Sequence, residues 1–187
     1  MKLQTLLFII TFSTTLLANG PIKIKAQKGF TSFNGENLKP GILIKEIKEN
    51  AENQFKTGMG SYLKLQTNDA TITLAPNSKL KMNANNELTL IKGILKISAK
   101  KNTDEIIIQT RELKLKNSEF SAILKVNELF NETELIVLTG MAASPNKIKE
   151  SYSANNWYGL GGRFQAKSEL SLDKAKLDYF KSLLPKI

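Results

Sequence analysis

The 187-residue sequence contains neither cysteine nor histidine. Without them the chain cannot form a disulfide, a thiol nucleophile, a Cys or His zinc site or a Ser-His-Asp triad. It also lacks the side chain that most often carries protons near neutral pH. The common catalytic groups that remain are carboxylates, Lys, Tyr, Ser and Thr. We therefore expect a protein that is not an enzyme and that holds no metal or cofactor.

Arginine is scarce, since Arg111 and Arg163 are the only two in the chain. Lys and Arg together number 27 against 17 Asp and Glu, which gives a formal charge of +10. Such an excess favours anionic partners: nucleic acid, anionic lipid or acidic polysaccharide. The abundance of Lys beside Asn and Ile instead indicates a compositional drift across the whole protein, and we prefer this second interpretation.

The N-terminus predicts export. Lys2 is followed by an apolar run diluted with Thr and Ser, and a small residue, Ala18, closes it. This arrangement is typical of a secretory signal peptide, and the run is shorter than the ~20 apolar residues of a spanning helix. We expect cleavage after Ala18, a mature chain 19–187 without a transmembrane segment, a periplasmic or secreted location and no nucleic-acid partner. The alternative is a buried N-terminal helix.

Most of the remaining chain alternates apolar and polar residues with the two-residue period of a half-buried strand. Ile22 and Ile24, for example, alternate with Lys23 and Lys25. Successive strand side chains point to opposite faces, so each segment directs one apolar stripe inward. The other alternating sets are Leu63/Leu65, Ile72/Leu74, Leu80/Met82, Leu88/Leu90, Leu95/Ile97, Leu113/Leu115 and Phe120/Ala122/Leu124/Val126.

Two segments, residues 106–108 and 135–138, are apolar at every position, which predicts central strands covered on both faces.

Turn residues separate the strands at intervals of roughly 8 to 12 residues. This spacing predicts an all-β fold: a sandwich, a roll or a short β-solenoid-like domain. The charged stretch 45–56 predicts one helical turn or a long loop. The predicted turns are residues 39–41, 57–60, 76–78, 83–86, 92–93 and 139–140.

One α-helix is predicted, at about residues 171–184. Ser171 would cap it, Asp173 would lie in its first turn, and Pro185 would end it. We expect this helix to pack on the domain rather than on a separate partner. Its apolar stripe consists of Leu172, Ala175, Tyr179, Phe180, Leu183 and Leu184.

The order of these strands and turns resembles the FecR domain of bacterial envelope proteins over residues 38–140. The most specific part is the turn 57–61, the strand with Leu63 and Leu65, and the turn 74–78, which match the family's Thr-Gly turn, strand and Leu-x-Pro-x-Ser turn. The sequence departs from the family at residues 68–70, in place of an Asp-Gly turn, and at Asn117, in place of a glycine. The other matching residues are Leu38, Gly41, Ile42, Leu88, Gly93, Thr110, Ser118, Phe120 and Gly140.

The resemblance implies a fold and a location in the cell envelope, and it carries no catalytic residues. In family members that regulate iron uptake, a cytoplasmic anti-sigma segment and a membrane helix precede this domain. Neither is found in this sequence, so we expect a stand-alone exported member, a single FecR-like domain over residues 19–187, that does not control a sigma factor directly.

The carboxylates that might be paired for acid–base chemistry fall at turns or at outward strand positions. We expect them to be solvated surface groups, and no calcium-binding loop is recognised around them. They are Asp69, Asp104, Glu105, Glu119, Glu128, Glu132 and Glu134.

The segment around residues 157–163 offers two further candidates. The glycine-rich stretch 159–162 follows no recognised apolar strand, so a flexible connection is favoured over a phosphate-binding loop. Trp157 and Tyr158, beside Arg163, would stack on a sugar or bind a partner if exposed. The preferred interpretation is that Trp157 covers the open end of the sheet and anchors the C-terminal segment.

Two classes of function follow. The first is a non-enzymatic envelope module that binds a protein as a signalling or scaffold component. The second is a carrier or binder of an anionic glycolipid or cell-wall polysaccharide. A lipid carrier needs an open apolar channel, whereas a FecR-like module needs a closed, filled core.

Overall fold

The computed structural model describes residues 20–45, 47, 53–83, 87–100, 106–117, 119–144 and 151–185. The prediction of an all-β fold with one C-terminal helix is confirmed. The residues of the proposed signal peptide, and with them the alternative N-terminal helix, lie outside the described ranges. The strands are β1 (Ile22–Lys28), β2 (Thr31–Phe33), β3 (Glu36–Asn37), β4 (Leu43–Ile44), β5 (Gln54–Thr57), β6 (Tyr62–Gln66), β7 (Ala70–Leu74), β8 (Lys79–Met82), β9 (Glu87–Ala99), β10 (Ile106–Gln109), β11 (Lys114–Asn117), β12 (Phe120–Asn127), β13 (Glu132–Ala143), β14 (Ser151–Ser153), β15 (Asn156–Gly161) and β16 (Phe164–Ser171).

The strands form two layers that share two long strands. The first sheet has the order β4-β1-β6-β7-β9-β12-β13-β15-β16. The second has the order β3-β2-β5-β8-β9-β10-β11-β13-β14. All pairs are antiparallel except β9 and β10, which run parallel.

Strands β9 and β13 each turn a corner from one sheet into the other. Up to Lys92, β9 pairs with β8, and from Gly93 onward it pairs with β12. Strand β13 pairs with β12 up to Gly140 and then with β14 from Met141. The turns predicted at residues 92–93 and 139–140 are therefore bends within continuous strands, and the two sheets are joined as in a barrel.

The inward stripes of both sheets meet in one core, as the alternation predicts. Leu63 and Leu65 of β6 and Leu95 and Ile97 of β9 are fully or almost fully buried, and Phe120 is 2% exposed. Small turn hydroxyls complete the packing at the strand ends. Together these residues fill the space between the sheets.

The family-like turns lie against one another at one end of the sandwich. Thr57 Oγ1 donates to Ala75 O at 2.6 Å and accepts from Ser78 N at 2.9 Å. Ser78 Oγ accepts in turn from Ile94 N at 2.9 Å, beside the corner of β9. Hydrogen bonds from buried hydroxyls therefore fix the turns of residues 57–61 and 74–78 to each other and to β9.

Two predictions about single segments also need correction. The stretch 45–56 ends in strand β5 rather than in a helical turn or loop, and residues 46 and 48–52 lie outside the described ranges. Strand β10 is central, between β9 and β11, but its second face is only partly covered, because Ile107 is half-buried while Ile106 and Ile108 are buried. Residues 135–137 are buried on both faces, as predicted for a central strand.

The helix α1 (Lys174–Ser182) is shorter than predicted. Ser171 is the last residue of β16, so it does not cap the helix; Asp173 does, accepting a hydrogen bond from Lys176 N at 2.7 Å. The helix packs on the outer face of the first sheet through Phe180, against Ile123 and Ile136. Within the described ranges, no helix has the length and apolar character needed to cross a membrane.

Candidate functional site

A cleft of about 530 Å³ opens on the outer face of the first sheet, beside α1. Strands β12 and β13 form its floor, since Lys125 lies directly opposite Glu134 and Asn127 opposite Glu132. We call it the charged cleft. Its lining residues are Lys125, Asn127, Phe130, Glu132, Glu134, Arg163 and Tyr179.

Glu132 and Glu134 are buried, with 7% and 9% of their surfaces exposed, so the expectation of solvated carboxylates is wrong for both. Glu134 Oε1 accepts from Lys125 Nζ at 2.9 Å, and its Oε2 accepts from Trp157 Nε1 at 3.0 Å. Glu132 Oε1 accepts from the backbone N of Arg163 at 3.2 Å and lies 3.5 Å from its Nε. Each carboxylate is therefore paired with a cation.

The other candidate carboxylates do not join the cleft. Glu119 and Glu128 are exposed, as expected, and Asp69 is half-buried in the turn between β6 and β7. Asp104 and Glu105 lie outside the described ranges. Among the residues that the structure describes, no group of three or more acidic side chains is placed to hold a metal ion.

Lys125 is the central cation of the cleft. Burial lowers its pKa, but the hydrogen bond and negative charge of Glu134, with a smaller contribution from Tyr179, outweigh burial and raise the pKa above 10.5. Lys125 Nζ also lies 3.4 Å from Tyr179 Oη, on α1. The pair of Lys125 and Glu134 therefore connects the sheet to the helix.

Trp157 and Tyr158 do not form an exposed binding surface. Trp157 is 4% exposed and packs beneath α1 against Phe180, while Lys176 Nζ lies 3.7 Å from the centre of its ring. Tyr158 is fully buried in the main core, where its hydroxyl accepts from Ser153 N at 2.7 Å. The prediction that Trp157 anchors the C-terminal segment is thus confirmed, but Trp157 lies on the outer face of the first sheet, between β13 and β16, and does not cover an open end of the sheet.

Two exposed aromatic side chains line the cleft, and neither is identified as a site residue from the sequence. Phe130, 63% exposed, lies in the loop between β12 and β13, and Tyr179, 48% exposed, lies on α1. Both line the cleft with Arg163. In the sequence Tyr179 belongs to the apolar stripe of the helix and Phe130 to no periodic pattern, so periodicity alone does not identify this pair.

The glycine-rich stretch 159–162 is ordered structure rather than a flexible connection. Residues 159–161 belong to β15, and the turn to β16 follows. Gly162 has φ +52°, and a Cβ there would lie 2.3 Å from Glu132 Cγ and 2.4 Å from Phe130 O. The glycine thus allows the turn to approach β13 closely enough for Arg163 N to bind Glu132.

The core between the sheets is closed in the described part of the chain. The buried side chains of both sheets fill it, and a small pocket beside Ala70, Ile72 and Leu88 has about 10 Å³ of space, enough for at most one water molecule. An open apolar channel, which a lipid carrier needs, is not formed by these strands.

Comparison with known proteins gives a match of fold. No family model matches the chain, and no curated protein matches its sequence. Two crystal structures of a "putative anti-sigma factor" from Parabacteroides distasonis ATCC 8503 superpose with a TM-score of 0.59 at 12% identity. The match covers 69% and 70% of this chain and spans 64% and 65% of the Parabacteroides chain. At this identity the likeness establishes a shared fold.

Proposed function

We propose that the chain is an exported, non-enzymatic FecR-like module that binds a protein of the cell envelope in a signalling or scaffold role. The charged cleft is the observation that supports this most strongly. Aromatic and Arg side chains dominate the energetics of protein interfaces, and here Phe130, Tyr179 and Arg163 surround a floor of both charges. The fold shared with the Parabacteroides protein agrees with a regulatory module.

The arrangement of the cleft argues against the competing functions. Glu132 and Glu134 are paired with Arg163 and Lys125, so neither is placed as a free general acid or base. The filled core argues against the transport of a lipid acyl chain. Both arguments favour binding at the surface for the part of the chain that the structure describes.

A photo-crosslinking experiment in intact cells tests the proposal. A benzoyl-phenylalanine placed at Phe130 or at Tyr179 should capture a protein, which mass spectrometry then identifies. The control is the same residue at Leu170, which is 55% exposed on β16 and does not line the cleft. Adducts at Tyr179 that contain only glycan or lipid, or equal capture at Tyr179 and Leu170, would contradict protein binding at the cleft.

Export is tested separately. The sequence of residues 1–18 supports a signal peptide, so the mature protein should begin at Asn19. N-terminal sequencing of protein recovered from the cell envelope or the medium measures this. A mature form that still begins with Met1 would overturn the location.

A further inference from the structure

One end of the sandwich gathers loops from both sheets. The pairing registers of both sheets bring the last residues of six strands together there: β1, β5, β7, β10, β12 and β15. Thr110 and Thr133, from the two sheets, are hydrogen-bonded there at 2.9 Å. We call this the loop end. Its loops are residues 29–30, 58–61, 75–78, 110–113, 128–131 and 162–163.

Large apolar side chains project from the loop end into solvent. Met59 and Leu129, 87% and 88% exposed, are the most exposed large hydrophobic residues that the structure describes. Phe30 and Phe130 join them at 57% and 63%. They belong to three separate loops, and more than half of the surface of each residue is exposed. Large apolar side chains gathered at one end of a molecule are typical of a surface that contacts a protein or a membrane.

Cationic side chains surround these residues. Lys28, Lys56 and Lys92 are exposed at the same end, and both arginines of the chain, Arg111 and Arg163, lie there. Two of the local carboxylates are already paired, Glu112 with Arg111 at 3.8 Å and Glu132 with Arg163 at 3.5 Å. A third, Glu128, is exposed. The loop end therefore combines protruding apolar groups with a cationic border.

We propose that the loop end docks on an anionic lipid bilayer. Reversible membrane binding generally needs two contributions, shallow insertion of apolar groups and attraction of basic residues to anionic headgroups, and this surface supplies both. The four apolar side chains lie on three loops rather than in one shared pocket, and Phe130 alone among them also lines the charged cleft. Four strand spacings of about 4.8 Å separate β1 from β12, a spread that a fluid bilayer accommodates without matching pockets.

The loop end shares Phe130 and Arg163 with the charged cleft, so docking is tested on Met59 and Leu129, which do not line the cleft. Co-sedimentation of the purified protein with vesicles tests it. The vesicles contain phosphatidylcholine alone or mixed with phosphatidylglycerol. We expect binding to the anionic vesicles, weakening as salt is added, and little binding to phosphatidylcholine.

Matched variants locate the surface. Met59→Ser with Leu129→Ser should weaken binding by about tenfold or more. Met141→Ser with Leu170→Ser, at positions 56% and 55% exposed outside the loop end, should change it less than about twofold. Lys28→Gln with Lys92→Gln should weaken binding more than Lys23→Gln with Lys25→Gln, which removes the same charge elsewhere.

Three outcomes would overturn the proposal: no binding to anionic vesicles, equal loss in both serine pairs, or equal loss in both glutamine pairs. The last would mean attraction by net charge alone. Because crosslinking at Tyr179 uses no vesicles, failure of docking leaves the test of protein binding unaffected.

Discussion

Phe120 is the residue whose inward position was predicted from alternation and from the family-like element together. It is 2% exposed in the main core, while Glu119 is exposed. We therefore expect Phe120→Ala to lower the free energy of unfolding by about 3 to 5 kcal/mol, because it leaves a cavity. Glu119→Ala should change it by less than about 0.5 kcal/mol. Urea denaturation of both variants measures this, and equal midpoints would show that the register of β12 is wrong.

Ser121 has the same outward parity as Glu119, so alternation alone predicts that it tolerates replacement, and the structure revises that expectation. Its hydroxyl donates to Ile97 O at 3.1 Å and lies 3.0 Å from Ser98 Oγ. A hydrogen bond of this kind contributes about 1 kcal/mol. Ser121→Ala should therefore lower the free energy of unfolding by more than Glu119→Ala and by less than Phe120→Ala, as measured in the same urea denaturation series.

Gly93 and Gly35 form a matched pair, since their φ angles are +89° and +88°. A Cβ on Gly93 would lie 2.3 Å from Ser78 Oγ and 2.5 Å from Ser78 Cα, whereas nothing lies within 4 Å at Gly35. Gly35→Ala should cost about 1 to 2 kcal/mol from backbone strain alone. Gly93→Ala should cost about 1 to 3 kcal/mol more than Gly35→Ala, because the added Cβ overpacks the contact with Ser78. Thermal unfolding of the two variants gives the comparison, and equal losses would refute the close approach at the corner.

The buried carboxylates show the limit of residue-level prediction. Alternation correctly gave Glu132 and Glu134 the side of β13 that faces away from the main core. It did not reveal that Trp157, Arg163 and α1 cover this side, because those residues are distant in sequence. Burial on an outer sheet face depends on tertiary packing, which the local pattern of one strand does not contain.

At the scale of elements, the attachment of α1 should depend on alkaline pH. The pKa of Lys125 in the folded protein is raised above its unfolded value of 10.5. The stabilisation that charged Lys125 gives the contact between the sheet and α1 is therefore complete below pH 10.5, and it is lost as the pH rises through the higher folded pKa. Trp157, the only tryptophan, lies under the helix and reports its detachment by fluorescence. Lys125→Gln should lack this alkaline step. An identical pH profile in the variant would show that Lys125 does not control the contact.

The corner of β9 coincides with a change in the parity of the apolar residues, which the prediction of separate strands does not use. The inward residues are even-numbered before the corner, Leu88 and Leu90, and odd-numbered after it, Leu95 and Ile97. A turn between two strands explains such a change of parity equally well, so the alternation alone did not distinguish the two structures. Hence the strands themselves were predictable, and the continuity of β9 was not.

At the scale of the molecule, the corner strands should make unfolding cooperative. Neither sheet can lose its strands alone, because β9 and β13 contribute to both. We expect far-ultraviolet circular dichroism and Trp157 fluorescence to report one coincident transition in urea at neutral pH. Two separated midpoints, with an intermediate that retains strand signal, would contradict this.

The same corners have a consequence for how quickly the molecule is made. Neither sheet is complete until β9 has paired with β7, β8, β10 and β12. Strand β2 pairs with β5, which lies more than twenty residues later in the chain. Chains built on such non-local pairings fold in about milliseconds to seconds rather than microseconds. Stopped-flow refolding should show this delay. While it lasts, the apolar stripes are open to other chains, so the newly made protein is more vulnerable to aggregation than the finished one.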